Sequence, residues 1–181
     1  MQVYLPLFLL LTLPLPAQKK PDPCAMSNLP SGVQDLVKSR FPDLRPKRFS
    51  DLGEDDQKLW STSSNSHYCP GIAIGSFEEP SQREYAILLI PKAGPENRYI
   101  VVVLAPSKSS TKYHASSLDH GASTPNSGLV ISRVPPGNQE GFDESKAVKL
   151  ELDGINVEWL EKSSVLYYYS NGRYHHLQTS D

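Results

Sequence analysis

The sequence predicts an α+β domain: one short N-terminal helix packed on a mainly antiparallel, twisted β-sheet. Three observations lead there. Two near-continuous apolar runs, 84–90 and 99–104, are rich in Ile and Val and read as central strands buried on both faces. The last third alternates apolar and polar residues between tight-turn dipeptides. A single stretch, beginning at Ser31, spaces its apolar residues as a helix does.

In that stretch Ser31 and Gln34 have the spacing of a capping box. Val33, Leu36, Val37 and Phe41 fall on one helical face, and Pro42 ends the run. A helix of about ten residues is marginal alone, so it depends on packing against the sheet. Residues 45–67 read as a loop. Within it, the acidic run Glu54-Asp55-Asp56 reads as a solvated turn and Leu59-Trp60 as the anchor, followed by the Ser-rich tract 61–66.

The two central runs pair as an antiparallel hairpin across the turn cluster Gly94-Pro95-Glu96-Asn97. Residues 112–118 read as an edge strand, 119–126 as a loop, 128–134 as a strand and 135–144 as a long polar loop. Over 146–152, Val148, Leu150 and Leu152 point one way, Lys149 and Glu151 the other. Asp153-Gly154 reads as a tight turn into Ile155, Val157 and Trp159 on a partner strand. Residues 165–170 and 173–178 pair around Asn171-Gly172, a dipeptide suited to a type I′ turn. The C-terminal third is thus a β-meander of hairpins.

Residues 1–17 form an apolar segment of secretory type, with a candidate cleavage after Ala17. Pro6, Pro14 and Pro16, and a length below the roughly 18–20 apolar residues of a span, argue against a membrane helix. No later stretch is long and apolar enough. A lipoprotein is disfavoured because Cys24 follows Pro-Asp-Pro. The expected organisation is a signal peptide over 1–17, a polar lead over 18–30 and one domain over 31–181, in a secreted or periplasmic protein. In such a compartment Cys24 and Cys69 read as a disulfide. The net charge of −2, without a clustered basic face, excludes a nucleic-acid footprint.

The loop Gly75-Ser76-Phe77-Glu78-Glu79-Pro80-Ser81-Gln82-Arg83-Glu84-Tyr85-Ala86 resembles the FG-GAP (VCBS-like) element of secreted bacterial proteins, which reads roughly G-D-F-N-G-D-G-x-x-D-Y-A. Gly75, Phe77, Tyr85 and Ala86 match outright, and Glu84 is a carboxylate where Asp is usual. The Tyr-rich ending from Tyr167 to Tyr174 is similar to the tails of the same proteins. The resemblance implies a calcium loop, and the residues depart from it. Calcium takes roughly six to eight oxygen ligands. Here Ser76, Glu78 and Glu84 stand at ligand positions, Pro80 replaces an Asp, and both loop glycines are gone. The expectation is a strand connection that does not hold calcium tightly, and no other cofactor. No internal repeat points to a propeller.

The histidines offer little. His175 and His176, adjacent on a strand, face opposite sides and cannot share an ion. Asp119-His120 beside Ser116, Ser117 and Ser123 lacks the G-x-S-x-G elbow of a hydrolase. The tyrosines offer more. Tyr167 and Tyr169 share a strand face, Tyr174 lies across the turn, and Arg173 is adjacent: a ligand-contact strip or edge-of-core packing. The leading expectation is an exported non-enzymatic domain that binds a protein, glycan or envelope component through its β-sheet surface. The alternatives are a small exported hydrolase using His120 or His176 with a carboxylate, and an inhibitor of a cell-wall lytic enzyme.

Overall fold

A computed structural model of the protein describes residues 22–93, 97–107, 112–123, 126–143 and 146–181. The signal segment 1–17, residues 18–21 of the lead and the turn residues Gly94, Pro95 and Glu96 lie outside the described residues.

All described pairings are antiparallel. The first sheet is built on β3 (Glu84–Pro91) and β4 (Arg98–Pro106), with β5 (Tyr113–Ala122) at one edge. On the other side of β3, β1 (Leu44–Pro46) and β2 (Ile72–Gly75) pair with its two ends. The two apolar runs thus form the centre of this sheet. Along β3 the side chains alternate between two cores. Tyr85, Ile87 and Leu89 meet Val33 and Val37 of α1 (Ser31–Arg40), whereas Ala86 and Leu88 meet the second sheet. Ile87, Leu88 and Leu89 are fully buried, each stabilising the fold by about 1.5–3 kcal/mol. A strand covered on both faces needs apolar residues at every position, which is why periodicity two vanishes there.

The second sheet runs β11 (Arg173–Ser180), β10 (Ser163–Ser170), β9 (Gly154–Trp159), β6 (Leu129–Val134). Leu129, Ile131, Ile155 and Val157 of this sheet face the first. Its outer face is covered by two pieces. A hairpin of β7 (Gly137–Glu140) and β8 (Ala147–Leu150) sets Leu150 on Leu166 and Leu177. A second helix, α2 (Glu54–Thr62), sets Trp60 on Val130 and Leu52.

Cys24 and Cys69 are bonded, with Cα atoms 5.0 Å apart and a sequence separation of 45. Closing a loop of that length stabilises by roughly 4 kcal/mol. Beside this bond, Gly71 lies against Lys47. A Cβ at position 71 would sit 2.3 Å from the Lys47 carbonyl oxygen, so the close approach requires glycine.

The α+β class with mainly antiparallel sheets stands, and its details change. Two helices, rather than one, lie among the described residues, because Glu54, Asp55 and Asp56 form the first turn of α2, where carboxylates favour the helix N-terminus. Ser31 makes no capping box: Pro30 is the N-cap, and the Gln34 amide donates to the Leu29 carbonyl at 2.8 Å. The loop expected at 119–126 is strand as far as Ala122, and the long loop after 135 contains β7. Asp153-Gly154 is not a hairpin turn. β8 pairs with β7, and β9 pairs with β6 and β10. The Asp153 side chain instead accepts the Ser76 N–H at 2.8 Å. Asn171-Gly172 does form the two-residue turn, with φ of 52° and 79° and Ser170 opposite Arg173. Among the described residues no helix is long and apolar enough to cross a membrane.

Candidate functional site: a closed loop and an open cleft

The 75–84 loop folds around Glu84. This side chain is fully buried. Its carboxylate accepts the backbone N–H groups of Phe77 and Glu78 at 2.7 Å and of Glu79 at 3.2 Å. Burial pushes its carboxyl up, against the pull of those N–H groups. Phe77 is fully buried in the inter-sheet core, and Tyr85 in the core beneath α1. Ser76 donates its hydroxyl to the Gln82 carbonyl at 2.8 Å.

Glu78 is used differently. Its carboxylate accepts hydroxyls from Ser116 and Tyr174, both at 3.1 Å, and lies 2.8 Å from His114 Nε2. One carboxylate thereby ties the loop to β5 of the first sheet and β11 of the second. Ser76, Glu78 and Glu84, the three expected ligand positions, are therefore spread over separate internal bonds. Among the described residues no group of three His, Cys, Asp or Glu side chains is placed to hold a metal.

The tyrosine strip faces inward along part of its length. Tyr167 and Tyr174 pack against the inter-sheet core. Burial, with Asp119 nearby, pushes the Tyr167 phenol up to about 12. Burial and then the Glu78 charge push Tyr174 further still. Tyr169 packs edge-on to Tyr174, with ring centroids 5.1 Å apart. Arg173 is exposed at the turn, and its Nε donates to His175 at 3.4 Å. Asp119 accepts the Tyr99 hydroxyl on the inner face, while His120 lines a cavity of about 490 Å³ beside Arg40 and Asp43 on the α1 side. Asp119 and His120 are thus not a dyad. His176 is exposed. The carboxylate–histidine pair that does form, Glu78–His114, takes a bond from Ser116 at the carboxylate, an arrangement without the serine-to-histidine link of a triad.

A cleft of about 560 Å³ lies at the seam where β2 of one sheet faces β6 of the other. Ile131 N–H bridges the seam to the Pro70 carbonyl at 2.8 Å. No ladder joins β2 to β6 among the described residues. Trp60, Asn65, His67, Tyr68, Ile74 and Arg133 line the opening. One wall is the segment after α2. Ser63 ends the helix by donating its hydroxyl to the Trp60 carbonyl at 2.8 Å and accepting the Asn65 N–H at 3.2 Å. Tyr68 N–H returns to the Asn65 carbonyl, and the disulfide fixes Cys69 immediately beyond. The wall is therefore held at both ends. It presents Tyr68, which is 58 % exposed, with its ring centroid 4.0 Å from that of His67. Across the opening, Arg133 stands 3.6 Å from Asp153 with half its side chain in solvent.

Trp60 lines this cleft with little of its surface. Its side chain is buried, and its indole Nε1 has no hydrogen-bond partner among the described residues. An unpaired buried donor costs about 1–3 kcal/mol. Sequence reasoning had Trp60 as an anchor and missed the cleft. The one available signal was an aromatic pair, His67-Tyr68, closing a Ser- and Asn-rich tract directly before a cysteine. No protein-family model, curated protein or solved structure matches the chain.

Proposed function

We propose that the protein is an exported, non-enzymatic binding domain and that it takes an envelope glycan in the cleft between residues 60–68 and the β2–β6 seam. The observation that carries the reading is the wall itself. A mostly exposed tyrosine ring stands on a segment fixed by a helix cap and a disulfide, in a cleft that Trp60 also lines. Rigid aromatic faces flanked by short polar groups suit the apolar face and hydroxyls of a sugar. The disulfide supports export, as such bonds persist in oxidising compartments. The closed 75–84 loop supports neither tight calcium binding nor a projecting inhibitory loop.

Co-sedimentation with insoluble cell-wall polysaccharide tests the reading. The protein should pellet with the polysaccharide, Tyr68→Ala should stay in the supernatant, and no soluble fragments should be released. Fragment release would replace the reading with a hydrolase, and undiminished pelleting of Tyr68→Ala would place the site elsewhere.

A further inference from the structure

We infer that the glycan taken by the cleft is anionic, a chain of uronic acids whose carboxylate pairs with Arg133. This rests on the cleft reading above and names the ligand chemistry within it. The starting point is the sign of the lining. The chain carries 20 acidic and 18 basic residues, yet no Asp or Glu lines the cleft among the described residues. Arg133 does line it, and His67 adds no negative charge. A cleft lined by one sign of charge between apolar walls draws in the opposite sign. Arg133 is also little used by the fold. Among the described residues its guanidinium makes no hydrogen bond. The carboxylate facing it, Asp153, stands off at 3.6 Å, through an oxygen that already accepts the Ser76 N–H at 2.8 Å. The Arg133 side chain is 53 % exposed against 10 % for Asp153, so an entering anion meets the guanidinium first. A guanidinium only donates, in a planar fork that fits a carboxylate bidentately.

The surroundings choose the carrier of the charge. Tyr68 lines the same cleft and is 58 % exposed, a flat face suited to a pyranose. A uronic acid bears its carboxylate directly on the ring, so one residue of the ligand brings both the flat face and the charge. Asn65 and Ser132 supply partners for ring hydroxyls. A glycerol or ribitol phosphate chain carries negative charge too, but it is acyclic and offers no ring face to Tyr68. An acidic peptide likewise carries carboxylates, but its usual capture by strand addition needs an open strand edge. The edge of β2 away from β3 faces β6 instead.

Cellotetraose and its counterpart oxidised to the carboxylate at every exocyclic carbon, tetraglucuronate, share ring and linkage and differ in charge, so they form the test. Each is titrated calorimetrically into the full chain in low-salt buffer, beside a glycerol phosphate tetramer and a tetraglutamate peptide. Tetraglucuronate should bind about tenfold or more tighter than cellotetraose, the scale of one charge-assisted hydrogen-bonded pair. The preference should shrink in about 1 M salt, which screens a half-exposed charge. Arg133→Gln, made in an Asp153→Asn background so that no carboxylate is uncovered beside the cleft, should bring the two tetrasaccharides within about threefold. That ratio is read independently of any general loss of affinity. Asp153→Asn alone should keep the preference, and its loss there would count against Arg133 as the anchor. Equal affinities in the unaltered protein, a preserved ratio in the double variant, or tighter binding of the glycerol phosphate or the peptide would each overturn the inference. Should neither tetrasaccharide be preferred while Tyr68-dependent pelleting persists, the charge assignment falls and the cleft reading stands. Should no saccharide bind and pelleting fail as well, both fall.

Discussion

The 75–84 loop is closed by its own carboxylates, whereas the 60–68 segment is pinned at its ends and presents an exposed ring between them. In the loop, Glu84 collects three backbone N–H groups and Glu78 two hydroxyls and a histidine. In the segment, the backbone is pinned by Ser63 and Cys69 while the Trp60 N–H has no partner among the described residues. The loop looks like a ligand site in sequence, and its Glu84 and Glu78 carboxylates take their partners from within the chain, while Gln82 Oε1 is buried without a partner among the described residues. The segment looks like filler and frames an opening.

The sharpest way to break this comparison is at Glu84. Glu84→Ala leaves three buried or half-buried N–H groups without their acceptor and should destabilise the fold on the order of 3 kcal/mol. Chemical denaturation reads this as a lower midpoint at unchanged slope. A loss below about 1 kcal/mol would mean that the loop closes without its carboxylate.

Lys47 extends the comparison to the cleft's flank. It is 2 % exposed, donates to the carbonyl and hydroxyl of Ser127, and is pushed down to about 8 by burial, against the pull of Asp51 and Asp56. Below pH 8 the native and unfolded chains both carry the ammonium. Between about 8 and the ordinary 10.5 only the unfolded chain does, so stability should rise with pH there, on the order of 2 kcal/mol. Tyr99, Tyr167 and Tyr174, all pushed up, act in the other direction once unfolded tyrosines ionise near pH 10. Thermal melts should therefore show a maximum between pH 8 and 10, and Lys47→Met should remove the rise. An identical rise in that variant would exclude Lys47 as its source.

Tyr174→Phe sharpens the loop side alone. It deletes one of three contacts to Glu78 and should cost about 1 kcal/mol, a fall of roughly 2–4 °C in Tm. The smallest effect belongs to the cleft. Tyr68→Ala should stay within about 0.5 kcal/mol of the unaltered protein in denaturant unfolding, because the ring is mostly exposed. A loss above about 1 kcal/mol would make Tyr68 a structural residue rather than a presented one.

Much of the fold was legible because its signals are local. The helical spacing of Val33 and Val37, the apolar runs of β3 and β4, and the Asn171-Gly172 turn each depend on neighbours in sequence. What failed depended on distant partners. The alternation in 147–150 is real, yet its partner is β7 rather than β9, and no residue within it distinguishes the two. α2 was hidden because an acidic run suits a helix N-terminus and a solvated turn equally. The cleft was illegible for the same reason. Trp60, Ile74 and Arg133 come from three separate elements and meet only where two sheets part.

Glu84 has a further consequence for where the protein can work. A loop arranged around a free ion keeps its shape only while that ion stays in the surrounding fluid, and dilution or a competing chelator can empty it. The organising charge of this loop is tethered to β3 and reaches the Phe77, Glu78 and Glu79 amides within the same short stretch of chain. Its effective concentration is set by the chain alone. The connection between β2 and β3, and with it the strand that borders the cleft, is therefore organised by a charge that the chain carries with it.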